Sequence, residues 1–411
     1  MSEQESVYLG IDINDKYTMV SYYNSSMPEP DTISTVIGSE SYQIPTFLAK
    51  RKGMGQWFFG REAKSQVNTR NADGIDHLYH LALSNSNVIL EGESFMARDL
   101  MVIFIKKLLA IPGHFYANKP IAKIVFSVDH ITMDVISLFS LISNQLGLSG
   151  EKTMIIDHSE SFYYYALSQE PVLFQNDVML FDYSGNNISH CLLKRNKNTT
   201  PQVVTLLQGN HPPLLEHKDM EFQSIVTEEF AGNSISSVYL IGDGFDGDWM
   251  KNSLAVICNG RRVFLGKNLY SKGACYAGAI KDGYKEWPFV FIGDNELKLN
   301  LSIKVSDRNE MKFITLINAG ESWFNETGEC EVVLDGSSEV TFWVQKPDRR
   351  DASLRVLELT DLPKRENRTT RLRIMAKALS DKKVEIEIHD LGFGEIVPSS
   401  NKVWYHTVEL Q

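Results

Sequence analysis

A chain of 411 residues that is 43% hydrophobic and 23% charged has apolar content for two or three domains with true cores, which excludes wholesale disorder. A net charge of −11 argues against nucleic acid as the main partner, because phosphate binding needs clustered cations. The longest apolar stretch, Ile121 to Leu148, is interrupted by Lys123, Asp129, His130 and Asp134, so it is too polar to cross a bilayer cheaply and no membrane partner is expected. The acidic start, Met1 to Ser6, lacks the apolar core of a signal peptide, and the scattered Cys191, Cys258, Cys275 and Cys330 show no paired metal spacing. A cytoplasmic protein with reduced thiols is expected.

Along the chain, Val7 to Tyr23 reads as two strands around the turn Asn14-Asp15-Lys16, with Asn14 tolerant of left-handed backbone angles. Ile44 to Leu48 and Trp57 to Phe59 are further short strands. A helix starts at Arg61 and runs to Val67, and Phe95 to Leu109 carries helical apolar spacing at Met101, Ile105, Leu108 and Leu109. Lys123 to Val128 is a buried strand, followed by a helix from Met133 to Leu146 that stops at Gly147. Ser159 to Leu167 is another helix. Strands follow at 178–182, 188–194 and 202–207, then a helix from Asp219 to Phe230 and a strand at 238–242. Trp249 to Ile257 reads as a helix capped by Asp246 or Asp248, and Gly273 to Ile280 as a short helix of small residues.

Strand–helix alternation ends near Lys281, and the period becomes two. Leu297, Leu299, Leu301, Ile303 and Val305 alternate with polar residues, as do Val340, Phe342 and Val344, Leu372 and Ile374, and Val384, Ile386 and Ile388. No helix is expected beyond about Asp282, so the chain closes in a β-sandwich-like domain.

Three strands run directly into polar turns: Val7 to Asp12, Val178 to Gly185, and Val238 to Gly244. A buried strand that delivers a carboxylate or glycines to an open turn suits a phosphate or its magnesium at a sheet edge, and the wide spacing suggests two similar half-domains around one cleft. With these turns the chain resembles the 70-kilodalton heat-shock chaperones, in the superfamily that also holds actin and the sugar kinases. Gly10-Ile11-Asp12 is similar to the family's first phosphate hairpin, Ile44-Pro45-Thr46-Phe47 to its Ile-Pro-Thr segment, and Gly60 to Gln66 to its Gly-Asp-Ala-Ala-Lys-Asn-Gln segment. By this match Lys64 falls on the family's catalytic lysine. Phe181-Asp182-Tyr183-Ser184-Gly185 resembles the second phosphate turn, Ile241 to Gly244 the adenosine-binding turn, and Ser271 to Ala279 the small-residue helix after it. Leu357 to Pro363 and the strands beyond it are similar to the family's peptide-binding β-domain.

The chain departs from that pattern at several places. Asn14, Asp15 and Lys16 replace Gly-Thr-Thr in the first hairpin; Lys16 would attract a phosphate and Asp15 repel one. The second turn keeps only Gly185 of three glycines, Ser189 stands where an aspartate is usual, and Asp157-His158-Ser159-Glu160 replaces Asn-Glu-Pro-Thr. Between Cys191 and Ser236 there are too few residues for the family's adenine-clamping lobe, and no helical lid follows the β-domain before Gln411.

Two readings of the turns follow. In one, Asp12 and Asp182 hold hydrated magnesium, Lys64 orients the phosphoryl group, and Gly10, Asp12, Asn14, Lys16, Gly185, Gly242 and Gly244 contact ATP or ADP. In the other, the ancestral site has decayed, no nucleotide is bound, and these residues persist as turn and salt-bridge elements. The acidic loop Asp243 to Asp248 lacks the regular spacing of a calcium loop, and His158 reads as a hydrogen-bonded residue near a helix start. Tyr163, Tyr164 and Tyr165 cover most of a helix circumference, so at least one ring is expected to face solvent or another lobe. The basic residues from Arg349 to Lys383 read as solvated loops and edge-strand protection, with an acidic protein partner as a middle reading.

The fold expected is an actin-like (ribonuclease-H-like) two-lobed α/β domain over 1–285, an apolar linker over 286–293, and an all-β sandwich over 294–411. The resemblance implies a chaperone-like protein or scaffold that binds a protein or peptide segment through the β-domain, with a degenerate nucleotide site. The alternative is a slow magnesium-dependent ATPase using Asp12, Lys64 and Asp182.

Overall fold

The computed structural model describes residues 6–34, 41–111, 119–148, 150–308 and 310–410. The chain divides into two units, Met1–Leu193 with Leu207–Trp287, and Lys194–Leu206 with Pro288–Gln411. The first is mixed α/β and the second all-β.

The first unit opens with the antiparallel hairpin β1 (Val7–Ile13) and β2 (Tyr17–Tyr23). After them come β3 (Asp31–Thr32), β4 (Ile44–Pro45), β5 (Leu48–Arg51), β6 (Trp57–Phe59), α1 (Gly60–Asn68), β7 (Ala72–Ile75), α2 (Leu78–Leu83), β8 (Asn87–Leu90), β9 (Glu93–Met96) and α3 (Ala97–Leu109). β10 (Ile121–Val128), α4 (Met133–Gln145), β11 (Thr153–Asp157) and α5 (His158–Leu167) complete this half. The main sheet runs β11-β10-β1-β2-β3, with β4 also on β2. Leu9, Ile11 and Ile13 alternate into one core with Phe104, Phe126 and Phe139, as expected for a strand covered on both faces.

The second half contains β12 (Asp177–Asp182), β13 (Ile188–Asn196), β14 (Gln202–His211), α6 (Lys218–Phe230), β15 (Ile235–Ile241), α7 (Asn252–Ile257), β16 (Arg262–Gly266) and α8 (Leu269–Lys281). Its strands run β16-β15-β12-β13-β14, the order of the first sheet over again. In both, a leading hairpin is followed by a strand parallel to its first member and then by another strand parallel to that one.

The last helix of each half serves the opposite sheet. Phe162 and Tyr165 of α5 meet Tyr239 of β15, with ring centroids 6.2 and 5.6 Å apart. α8 lies on β1 and β10, and a side chain at Gly10 would run into the carbonyl oxygen of Ser271. The two helices meet where Gly273 faces Ser161, and a Cβ there would run into the Ser161 carbonyl oxygen. Helices buried on most faces need sequences apolar or small all round, which Phe162, Tyr163, Tyr164, Ala274 and Ala277 supply. Of the Tyr163–Tyr165 run, Tyr163 and Tyr164 pack on Trp287, and Tyr165 reaches Tyr239 of the opposite half and Tyr276, so the ring expected to face solvent or another lobe faces the other half.

Some local expectations change. Asn14 does not sit in the left-handed region; its Oδ1 accepts the N–H of Lys16 and Tyr17 at 2.9 and 3.0 Å and closes the turn as a side-chain mimic of backbone. The segment Phe95–Met96 ends a strand before α3 begins. α7 starts at Asn252, not Trp249, because Asp219 of α6 accepts the N–H groups of Lys251, Asn252 and Ser253 at 3.1, 2.7 and 2.9 Å. The cap thus comes from a residue distant in sequence, not from Asp246 or Asp248.

In the second unit the apolar connector is a strand, β17 (Phe289–Phe291), paired in parallel with Gln202–Val204. β18 (Asn300–Asp307), β19 (Glu310–Ile317), β20 (Thr327–Val333), β21 (Glu339–Gln345), β22 (Ala352–Glu358), β23 (Arg371–Ser380), β24 (Lys383–Asp390) and β25 (Val403–Glu409) follow. They make two antiparallel sheets, β19-β18-β21-β22 and β20-β23-β24-β25. One core holds them together, with Leu301, Ile303 and Phe342 from one sheet and Leu372, Ile374 and Ile386 from the other. Among the described residues no helix follows Lys281. The basic residues here are partly paired: Arg365 holds the buried Asp390 with two bonds of 2.7 Å, and Arg373 bonds Glu331 across the β20–β23 ladder.

Gly273→Ala forces backbone apart at the helix crossing, so it is expected to destabilise the protein by roughly 3 kcal/mol. Gly278→Ala meets only side-chain atoms, Val125 Cγ2 at 3.1 Å and Tyr8 Cδ1 at 3.3 Å the nearest, and should cost much less. Thermal melts of the two variants check the contrast.

Candidate functional site

The repeated hairpins place Asp12 near the end of β1 and Asp182 at the end of β12, equivalent positions in the two halves. Asp12 is 1% exposed, so its charge requires a partner. That partner is His158, the first residue of α5, whose Nε2 lies 2.8 Å from Asp12 Oδ1. Tyr270, in the first turn of α8, stacks on the His158 ring with centroids 3.8 Å apart and planes 4° from parallel. Its hydroxyl donates to Asp182 Oδ2 at 3.2 Å. Asp12, His158, Tyr270 and Asp182 therefore form one continuous side-chain chain from hairpin to hairpin.

The electrostatics follow from this arrangement. Burial works against a charged His158, but Asp12, helped by Asp129 and Asp182, outweighs it and raises the imidazole above its ordinary value of 6.5. Burial raises the Asp182 carboxyl, and Ser184, His158 and Tyr270 offset only part of that. Burial and then Asp182 hold the Tyr270 hydroxyl well above the usual phenol range, so it stays a donor. Tyr17, half-buried, is likewise raised, first by desolvation and then by Asp12 and Asp182. The imidazole thus favours its charged form more than a free histidine does, and it lies against Asp12 with Asp182 reached through Tyr270.

The other residues expected at the site are placed elsewhere or used otherwise. Lys64 is exposed on α1 with its ammonium 5.7 Å from the Phe47 ring centre. Among the described residues no hydrogen bond or ion pair joins it to Asp12 or Asp182. Lys16 is exposed at the hairpin tip, where its charge favours ionised Asp243. Asp15 pairs with His77 and accepts the His80 N–H at 3.0 Å, which fixes it on α2. Gly10 is required by the α8 approach. Gly242 and Gly244 leave room for Tyr183, whose backbone and ring a Cβ at those positions would strike. Gly185 turns the chain at φ +93° with open space around its Cα. In the acidic loop, Lys267 bridges Asp243 and Asp246 at 2.7 and 2.6 Å, which satisfies the carboxylates a cation would need.

For nucleotide and magnesium the fit is poor. Asp12 and Asp182 are engaged by His158 and Tyr270, Asn14 by its own turn, and Gly10, Gly242 and Gly244 by packing, while Gly185 stays open.

Residues 29–294 match a model described as "Family of unknown function (DUF5716) C-terminal". The chain belongs to this family. Residues 296–410 match a second model, "Domain of unknown function (DUF8552)", and no curated protein matches the chain. The family region thus ends where the second unit's sheets begin.

Sequence reasoning missed the role of Tyr270 and took His158 for an ordinary hydrogen-bonded residue. The available signal was positional: each stands at the start of the helix that ends its half. His158, with its pKa raised, contributes stability that is complete below about 6.5 and is lost as pH rises through the folded value. The wild type should therefore lose thermal stability from pH 6.5 upward faster than His158→Gln, which keeps a donor to Asp12 without the charge. His158→Leu, which leaves Asp12 buried and unpaired, should cost about 3–5 kcal/mol. Thermal melts across pH distinguish the three proteins.

Proposed function

We propose that this protein is a chaperone-like scaffold of the heat-shock-70 type, an actin-like two-lobed domain joined to a β-domain that binds an extended protein segment. The repeated sheet order and the exchanged last helices support the actin-like reading. The observation that carries the binding function is the outer face of the sheet β19-β18-β21-β22. Antiparallel register puts Trp343 beside Leu354, and Thr341 beside Val356, on the side opposite the buried Phe342 and Val344. Phe313 joins them, 5.5 Å from Trp343 and edge-to-face. Phe313, Leu354 and Val356 are 57%, 54% and 53% exposed, an apolar stripe on a surface where single apolar residues are the norm.

β22 is also an edge strand, and an edge with exposed apolar side chains is a template for another strand. A segment added there would gain main-chain hydrogen bonds from β22 and side-chain contacts from the stripe. Arg349 and Arg350, just before β22, favour a segment with acidic residues at one end. A groove of about 850 Å³ opens on the other flank, lined by Val305, Met311, Ile314, Val332 and Trp343. In this reading the α/β domain holds its crevice shut through the His158–Tyr270 bridge, and the protein does not cycle with nucleotide.

The test is suppression of light scattering by a chemically reduced, unfolded model protein. Wild type should suppress aggregation, and the double variant Leu354→Glu/Val356→Glu should lose at least most of that effect. Its stability should stay within about 0.5 kcal/mol per site, because both positions are exposed. Equal suppression by both proteins would exclude this face. Titration calorimetry with ATP and magnesium should show no saturable binding. Micromolar binding, with phosphate release that falls in Asp182→Asn, would instead establish the ATPase.

A further inference from the structure

A cluster outside the crevice joins three elements of the α/β unit. His190 stands on β13, His211 at the end of β14 and Glu229 in the last turn of α6. His190 Nε2 lies 3.1 Å from Glu229 Oε2, and His211 Nε2 lies 3.4 Å from Glu229 Oε1. His190 Nδ1 lies 2.9 Å from His211 Nε2. The side chains are 11%, 13% and 22% exposed, so they are sheltered yet open on one side.

Two imidazoles and one carboxylate on three separate elements have the composition of a ligand set. One ligand atom from each lies within 4.8 Å of the others. Ligands about 2.0–2.1 Å from a tetrahedral ion stand about 3.3–3.4 Å from one another, so closing on an ion takes small side-chain rotations, with His190 giving one ring nitrogen to the ion. The backbone also makes room: a Cβ at Gly209 would come within 2.5 Å of His190 Cε1 and 3.2 Å of both its ring nitrogens. Glycine at that point lets the imidazole lie directly against the backbone of β14. Phe181 and Phe230 pack 6.4 Å from one another beneath the cluster and provide an apolar floor.

We propose that His190, His211 and Glu229 bind a divalent transition-metal ion, zinc above all, with water at the remaining position. Two nitrogen ligands and one carboxylate select zinc over calcium or magnesium, which want oxygen sets of six or more. A bound ion would fasten α6 to the β13–β14 edge.

The test uses the full chain, stripped with a chelator and titrated with zinc chloride. One equivalent should bind in the micromolar range or tighter, and the melting temperature should rise by about 4 °C at saturation. His211→Ala and Glu229→Gln should each weaken binding by about tenfold or more. Exposed His130→Ala and Cys258→Ser should bind as wild type does. Melts in chelator show whether a variant still folds, and Gly209→Ala adds a variant with every ligand in place that should also bind more weakly. Absence of saturable uptake below millimolar zinc, or equal uptake by wild type and both ligand variants, would overturn the proposal.

Discussion

The α/β unit depends on the close passage of α5 over α8 and of α8 over β1. At both places backbone meets backbone, and the residues that permit it are Gly273 opposite Ser161 and Gly10 opposite Ser271. Such contacts have no slack, because interiors are packed to crystal-like density and a single methyl cannot be absorbed. α8 belongs in sequence to the second half and packs on the first sheet, while α5 touches both, bonded through Ser161 to Ser127 of β10 and packed on Tyr239 of β15. The crossing therefore locks the halves together and fixes where the two helix starts fall. His158 and Tyr270 are at those starts, and the stacked pair follows from the crossing.

A buried carboxylate, Asp12, and a half-buried one, Asp182, at equivalent positions of a repeat are an electrostatic problem that a fold can solve in few ways. In this chain His158 lies against Asp12, and Tyr270 supplies a donor to Asp182. Once the imidazole occupies that place, the positions that resemble phosphate contacts acquire other work. Asn14 closes a turn, Asp15 anchors α2, and Gly242 and Gly244 admit Tyr183. A resemblance in the motifs is thus compatible with a different use of most residues in them.

In the all-β unit the physical division is between the two faces of one sheet. Period-two alternation sends Ile303, Phe342 and Val344 into the core and leaves Phe313, Trp343, Leu354 and Val356 outside. The inner set accounts for the folding of this unit. The outer set includes Leu354 and Val356 of the edge strand β22.

Much of this was legible in the amino-acid order. Alternation marked Leu372 and Ile374, and Val384 to Ile388, as core strands, and the switch of period near Lys281 marked the change from α/β to β architecture. Local signals suffice there because a buried strand or helix writes its own periodicity. Asp12 and Asp182 were also recognisable as carboxylates at strand ends. What only the tertiary structure decided is which groups meet. Asp12 lies 146 residues from His158 in sequence, Asp182 lies 88 from Tyr270, and the α7 cap reaches 33 residues back to Asp219. Such pairings carry no local pattern. They come from sheet order and helix crossing, and these set the distances on which hydrogen bonding and charge depend.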